Sequence, residues 1–596
     1  MSNWTTQDQP RIWRSPKSDF CGDEIMDSLQ VYSEEVLRDI ASHGFNAIWL
    51  RGRLADLMDS TVLPELNRPG AAVRVENLQK LIERGKRCGV NVFLYFNEPL
   101  ALQENDPFWE THKRLQGQSW VHPLYKITLS ALCTSDEQVQ AFFNEAVTQL
   151  MGNLLGLGGV VLITASEYHS HCWSHYHLFE PIPDGISDPN LPPMTCKRCA
   201  DREPADVVNE LLTVWSKAAD TVTPRPKVLA WNWSWAMWYE DPQAIIIENL
   251  PAGVELMLDF ERGGVWEQPG RSVSVDEYSM GYTGPSERFN KSNKIATEQG
   301  IPVHAKMQIG TTHELATVPN MPLIPNLHRK MAGLTEENVQ GIMACWNFGC
   351  SLTLNSYAIG LFTEQPTQSM NPTWFMKELA QSYFGTVDTT GTIDAWTGFS
   401  EAFSHYPFSM KFLYFCPLNY APAYPLSLSY KDVPLGGSWI EHTLGDRVES
   451  CLDFFDLDTV TNDLKTMATL WQRSIPAYEK ALTDASPITE AQSLHRFEEL
   501  SCAKMIGLQL HSSWNVFRFY RWRKQVMEAA GLNAPCTVTL DVQGAAIIKD
   551  ELANVKLCLE LTNADTRLGY HQEPQFSFYD SPLLEAKCKQ LEALLA

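Results

Sequence analysis

Glu167 closes the stretch Leu162-Ile163-Thr164-Ala165-Ser166-Glu167, where an apolar run gives way to a carboxylate flanked by Tyr168 and Trp173. A carboxyl group among apolar and aromatic neighbours keeps its proton to higher pH, which suits a group that hands a proton to a departing oxygen. Behind it follows His169-Ser170-His171-Cys172-Trp173-Ser174-His175-Tyr176-His177, and further on Cys196-Lys197-Arg198-Cys199. The two-residue gaps in Cys172-x-x-His175 and Cys196-x-x-Cys199 let both side chains of a turn reach one tetrahedral ion. Cys172, His175, Cys196 and Cys199 are therefore expected to bind a structural Zn2+, with His169, His171 and His177 competing for the histidine place. The bland alternatives are a carboxylate that only orders the histidines and a cysteine cluster, reduced or disulfide-linked, without metal. A third group, Asp276-Glu277-Tyr278 with Tyr282, sets adjacent carboxylates before two tyrosines. It can orient an N-acetyl group or bind hydroxyls, and it reads equally well as a turn ahead of a helix.

These groups need elements to carry them. Apolar runs recur at 45–50, 90–96, near 124–132, and at 159–164, 227–231, 254–258, 302–309 and 339–346. They are separated by amphipathic stretches such as 77–87, 135–150 and 204–221, the pattern of buried parallel strands with crossover helices. Eight such units predict an α/β fold, a (β/α)8 barrel over residues 1–365. A doubly wound sheet requires a glycine-rich first turn, which Trp49-Leu50-Arg51-Gly52-Arg53 does not supply. After residue 370 the strand rhythm stops, and helical patterns at 374–383, 395–404, 463–483 and 488–527 predict a mainly α-helical C-terminal domain over 366–596. The Pro- and Tyr-rich segment 417–434 reads as a loop laid against the barrel.

A barrel of this kind builds its site at the carboxyl ends of its strands. The residues there are Arg51 and Arg53, Asn97 and Glu98, Glu167, Trp231, Asn232 and Trp233, Asp259 and Glu261, Gln308, and Trp346 and Asn347. Carboxylates, amides, guanidiniums and aromatic platforms converging on one mouth make a pocket for a neutral, hydroxyl-rich ligand such as a sugar. Composition agrees: 19 Trp, 19 Tyr and 26 Phe supply flat apolar faces, and 47 basic against 71 acidic residues leave a net charge of −24 that repels nucleic acid and anionic membranes. The first residues show no basic segment followed by an apolar one, so a cytoplasmic protein is expected, with its 14 cysteines reduced. Nothing in the sequence decides whether the chain self-associates.

Thr164-Ala165-Ser166-Glu167 resembles the place where the glycoside hydrolase family 20 β-N-acetylhexosaminidases carry an adjacent Asp-Glu pair. Residues 395–403, Ala-Trp-Thr-Gly-Phe-Ser-Glu-Ala-Phe, and 565–571, Asp-Thr-Arg-Leu-Gly-Tyr-His, are similar to helical-domain signatures in distant relatives of hexosaminidases and α-glucuronidases. The resemblance is strongest to bacterial β-N-acetylgalactosaminidases remote from family 20. It implies exo-acting removal of a terminal β-linked N-acetylhexosamine, N-acetylgalactosamine favoured, with the substrate's own 2-acetamido oxygen attacking the anomeric carbon. Glu167 then takes the acid/base role, while Ser166 stands where the family has Asp and cannot supply the charge that stabilises an oxazolinium. Asp259, Glu261 and Asp276 are the candidates for that charge, with Asp259 and Asp276 placed first. Arg51 and Arg53 are expected to clamp hydroxyls, and Trp231, Trp233 and Trp346 to wall the ring, with Asn97, Glu98, Asn232, Glu261, Glu277, Tyr278, Tyr282 and Asn347 completing the lining. The partner is thus the non-reducing end of a glycan, with no organic cofactor. Three rival readings are an α-glucuronidase-like enzyme whose arginines bind a substrate carboxylate, a zinc-dependent barrel hydrolase, and a carbohydrate-binding scaffold without turnover.

Overall fold

The computed structural model describes residues 3–122, 125–176, 194–435 and 445–596. Eight parallel strands close into a barrel in chain order: β1 (Arg11–Trp13), β2 (Ala47–Arg51), β3 (Asn91–Phe96), β4 (Gly159–Ile163), β5 (Lys227–Trp231), β6 (Val254–Asp259), β7 (Val303–Lys306) and β8 (Gly341–Met343). Closure comes from β1, which pairs with β8 through Arg11 and Ile342 and with β2 through Ile12 and Ala47. That closure excludes the doubly wound alternative.

The strand count is legible in the sequence, but one assignment needs correcting. The segment near 124–132 is not a barrel strand: Thr128–Leu132 pairs antiparallel with Gln116–Val121 and Leu102–Gln103 in a separate three-stranded sheet that follows β3. The missing barrel strand is Arg11-Ile12-Trp13, three residues opening on a charged one, too short to register as an apolar run. The runs at 302–309 and 339–346 are also longer than their strands, because the chain leaves each ladder early to build loops over the mouth.

The alternation of a strand explains how so apolar a barrel still presents polar groups. Trp49, Phe93, Tyr95, Val161, Ile163, Leu229, Trp231, Met257 and Met343 point inward and form one cluster. Their neighbours Ile48, Leu50, Val92, Leu94, Val160, Leu162, Val228, Ala230, Leu256 and Leu258 face the surrounding helices. Continuing the inward parity past the end of each ladder aims Arg51, Asn97, Trp233, Asp259 and Lys306 at the mouth. At the opposite end, Lys227 Nζ lies 2.9 Å from Glu255 Oε1, and Glu255 Oε2 lies 2.5 Å from His304 Nε2, so an ion pair with a histidine hydrogen-bonded to it closes the foot. Gly159 at the start of β4 permits the close approach of β5, since a Cβ there would meet the Lys227 carbonyl at 2.6 Å.

Past the barrel the chain is mainly helical. The expected division at 365–366 falls between the helices Leu354–Glu364 and Pro366–Ser369, and long helices follow at Leu457–Leu482, Glu490–Ala529, Val542–Ala564 and Ser581–Leu595. The segment at 417–434 does lie against the barrel: Asn419 accepts from the Ala316 amide at 2.7 Å and donates to the His313 carbonyl at 3.1 Å. A hairpin pairing Tyr570–His571 with Phe576–Ser577 is seated the same way, Gly569 N donating to Thr317 O at 2.8 Å and Gln572 bonding Cys350 N and Ser351 Oγ. Among the described residues no helix is long and apolar enough to cross a membrane, and no disulfide joins any of the 14 cysteines.

Candidate active site

Glu167 reaches the mouth because the chain turns sharply beyond β4. Its amide donates to Ala165 O at 2.9 Å, and Ser166 sits at φ 60°, a left-handed conformation that costs a serine energy and is held in place by Ser166 N bonding Ser174 O and Ser166 Oγ bonding Ser234 Oγ. Ser234, in the loop after β5, is itself left-handed at φ 61°. The histidines are the scaffold of this turn. His171 Nε2 donates to the Thr164 carbonyl at 2.5 Å, and His169 Nε2 donates to Gln118 O at 2.8 Å. Burial holds both rings neutral, with pKa values pushed down to about 4, which fits their use as structural donors. His177 lies outside the described residues.

Burial raises the carboxyl of Glu167 to about 7, with Arg51 pulling it down and the nearby Glu277 pushing it further up. Glu277 is raised too, first by burial; Arg262 opposes the shift, as do a hydrogen bond from Tyr414 Oη at 2.5 Å and the amide of Tyr278 at 2.8 Å. Tyr278, next in the chain, is buried beside Asp259, Glu277 and Glu167, so carboxylates from the loops after β4 and β6 face one space. Asp259, at the tip of β6, accepts the Trp231 indole at 2.9 Å and is held raised by burial.

The walls are aromatic. Trp346 stacks on Trp49 with centroids 4.9 Å apart and meets Trp231 edge-on at 5.5 Å, while Trp233 packs between Trp231 and Tyr278. The Arg51 guanidinium lies between Phe20 and Tyr168, 4.7 and 4.3 Å from their ring centres. Lys306, fully buried on the barrel axis, stands 3.9 Å over Tyr278 and donates to Gln308 Oε1 at 2.9 Å.

Other expected lining residues are placed differently. Asp276 is engaged by Arg262 and Arg288, each at 3.2 Å. Glu261 is fully buried in an ion pair with Lys330 on the helix Ile324–Glu336, behind the mouth. Glu98 accepts from the Leu54 and Leu100 amides, both at 2.8 Å, and so shapes the loop after β3. The Tyr282 hydroxyl donates to Pro285 O at 3.3 Å. Arg53 begins the short helix Leu54–Leu57 beside Tyr168. Asn97 is buried next to Tyr95, and Asn232 Oδ1 lies 3.4 Å from the Asp259 amide.

Three contributors escape sequence reasoning. Glu573, on the C-terminal hairpin, is raised to about 8 by burial and by the negative charges of Glu167 and Glu277, with Asn347 and Trp346 favouring its ionised form. Tyr414 comes from the helix Met410–Phe415, and Lys306 from β7 itself. Lys306 alone has a readable signal, a lysine inside a run that the barrel pattern requires to be buried. The other two arrive from more than a hundred residues downstream, where no local pattern marks them.

The cysteine site also needs correcting. Cys172, Cys196 and Cys199 do come together, but the fourth member is Cys133, beyond the Thr128–Leu132 strand, and all four ligand atoms lie within 4.8 Å of one another. His175 is not part of that group and stacks instead on Trp120, ring centres 3.8 Å apart.

No protein-family model matches this sequence, and no curated protein matches it. Solved structures share its fold. A GH138 enzyme targeting pectin rhamnogalacturonan II superposes with a TM-score of 0.50 at 10% identity over 98% of this chain. This chain spans 66% of that enzyme's length. PbGH5A, a glycoside hydrolase family 5 enzyme from Prevotella bryantii B14, gives 0.34 at 10% identity, covering 63% of this chain and 99% of its own. The exo-β-1,4-mannosidase Op5Man5 from Opitutaceae bacterium strain TAV5 gives 0.36 at 14% identity, covering 61% and 60%. The first of these establishes the architecture, a (β/α)8 barrel continuing into a helical region.

Proposed function

We propose that this protein is an exo-acting glycoside hydrolase in which Glu167 is the general acid and Glu277 the carboxylate facing it across the mouth. The observation that carries this reading is the placing of two buried carboxylates, Glu167 and Glu277, beside Tyr278 inside a wall of Trp231, Trp233 and Trp346, the first raised by burial to about 7. Glycoside hydrolysis needs a proton donor beside the leaving oxygen and a negative group at the cationic anomeric carbon. Aromatic faces suit the apolar side of a pyranose ring, and Arg51, Asn347 and Lys306 offer donors to its hydroxyls.

The substrate we favour is a terminal β-linked N-acetylhexosamine, N-acetylgalactosamine first, cleaved with help from its own acetamido oxygen. Glu277 suits the polarising role better than either aspartate. Asp276 is spent on two guanidiniums and Asp259 on the Trp231 indole, whereas Glu277 is oriented by Tyr414 and stands closest in influence to Glu167. Arg51, held flat between two rings, and the axial Lys306 favour a second reading, an enzyme that binds the carboxylate of a uronic acid.

A panel of aryl N-acetylhexosaminides and aryl uronides separates the two. Turnover confined to the N-acetyl sugars, with inhibition by a thiazoline analogue, is the expected result. Covalent labelling of Glu277 by a 2-fluoro glycoside overturns the acetamido mechanism, and turnover of uronides alone overturns the substrate.

A further inference from the structure

We infer that Cys133, Cys172, Cys196 and Cys199 bind one Zn2+ as a closed tetrathiolate site that ties the Glu167 loop to the sheet beside β3. The four sulfurs come from three separate stretches of chain: the end of the Thr128–Leu132 strand, the loop after β4, and the Cys196–Cys199 turn, in which Cys199 N and Ala200 N both bond Cys196 O. Cys133 Sγ lies 3.6 Å from Cys196 Sγ and 3.7 Å from Cys199 Sγ. Bonds of about 2.3 Å from a tetrahedral zinc to each sulfur set neighbouring sulfurs about 3.8 Å apart, close to that spacing, whereas a disulfide brings them to about 2.05 Å.

The surroundings are built for thiolates. Arg198 Nε donates to Cys133 Sγ at 3.1 Å, the Gln118 amide donates to Cys172 Sγ at 3.3 Å, and Ser135 Oγ, itself held by Arg202, lies 3.3 Å from Cys199 Sγ. Four thiols packed only as small apolar groups do not call for a guanidinium and an amide aimed at sulfur. Gly117 completes the fit, since a Cβ there would stand 2.5 Å from Cys172 Sγ. Binding releases four protons: Zn2+ and four thiols give [Zn(S-Cys)4]2−, whose charge Arg198 and Arg202 offset. Soft sulfur in a tetrahedral set selects zinc over hard cations. Four protein ligands leave no position for water, so this ion holds structure and does no chemistry on substrate.

Cys172 is five residues beyond Glu167, and the turn between them is the one held by His169, His171 and Ser174. The ion therefore positions Glu167 through that turn. The metal site itself stands on the sulfur geometry and does not depend on what Glu167 does.

Elemental analysis of the purified full-length protein tests the site. We expect one zinc per chain, released by a mercurial reagent in step with four thiols. Cobalt-substituted protein should show the sulfur-to-metal charge-transfer and intense visible bands of a tetrahedral tetrathiolate. Cys133→Ser should lose the zinc and His175→Ala keep it. If Cys133→Ser does not fold, the mercurial titration of the unaltered protein still decides. Protein without stoichiometric metal, iron in place of zinc, or zinc lost with His175→Ala and retained with Cys133→Ser each overturns the assignment.

Discussion

The two ends of the barrel treat a buried carboxylate in opposite ways. At the foot, burial pushes Glu255 up, but His304 and Lys227 outweigh it and hold the group at about 2. At the mouth the same burial raises Glu167 to about 7 and Glu573 to about 8, because desolvation outweighs what opposes it: Arg51 for Glu167, and for Glu573 only the hydrogen bonds of Asn347 and Trp346 against the charges of Glu167 and Glu277. Desolvation is common to both ends, so what decides the outcome is whether a carboxylate is held in direct ion pairs and hydrogen bonds strong enough to offset it, as Glu255 is and Glu167 is not. At the foot the charge is paired until it stays ionised, whereas at the mouth Glu167 and Glu573 exchange protons near neutrality, as catalysis by proton transfer requires.

The contrast breaks most visibly if Glu167 is replaced. Glu167→Gln should lower kcat/KM on a disaccharide about 10^3-fold while the protein stays folded, with much smaller loss on an aryl glycoside whose leaving group needs no proton. Steady-state kinetics on both substrates checks this, and a disaccharide rate near that of the unaltered enzyme removes Glu167 from the acid role. At the foot the effect should be on stability alone. Glu255→Gln strands Lys227 and His304 beside each other and should cost about 3 kcal/mol in denaturant unfolding, with the pH profile of kcat/KM unmoved.

The signs of the two ends also predict opposite responses to pH. Glu167 and Glu573 have folded-state pKa values above those of the unfolded chain, so the folded protein binds more protons between about pH 4.5 and 8, and stability falls as pH rises through that window. Glu255 is depressed, so its contribution is present above the unfolded value and lost as pH falls toward about 2. Glu573→Gln should therefore raise the unfolding free energy at pH 8 by several kcal/mol, at about 1.4 kcal/mol for each pH unit by which its carboxyl is raised, and do nothing at pH 4. Thermal unfolding at the two pH values measures the difference. Over the same range kcat/KM should decline above pH 7 as Glu167 loses its proton.

Most of the foot-to-mouth axis can be read from the chain, and the side chains that the helical region adds to the mouth cannot. Parity along a strand is local, so Arg51, Trp231, Trp233 and Asp259 announce themselves once the apolar runs are aligned. Glu167 likewise follows directly from a five-residue buried strand. Arg11–Trp13 escapes notice because three residues carry too little pattern, and Thr128–Leu132 takes its place in the count because a short apolar run looks alike in a barrel and in a side sheet. Glu573 and Tyr414 reach the site only through the packing of the helical region, by contacts such as Gly569 on Thr317 and Asn419 on Ala316 that have no sequence signature. Cys133 is invisible for the same reason: its distance along the chain hides the partner that the Cys-x-x-Cys spacing leaves a histidine to fill.

The smallest effect probes that contribution of the helical region most finely. Tyr414 donates to one oxygen of Glu277 at 2.5 Å, a bond that favours the ionised carboxylate and opposes the upward push of burial. Tyr414→Phe removes the donor and leaves the ring in place against His313. Loss of one hydrogen bond to a charged group, about 1.5 kcal/mol, should lower kcat/KM roughly tenfold. The direction of the accompanying pH change carries the argument. Without the hydroxyl, Glu277 holds its proton to higher pH, so the acidic limb of the profile should move up while the alkaline limb, set by Glu167, stays where it was. Tyr414 then acts on one carboxylate of the pair only. A shift of both limbs together, or of neither with the rate reduced, assigns Tyr414 to packing and leaves Glu277 to be oriented by the Tyr278 amide and Arg262 instead.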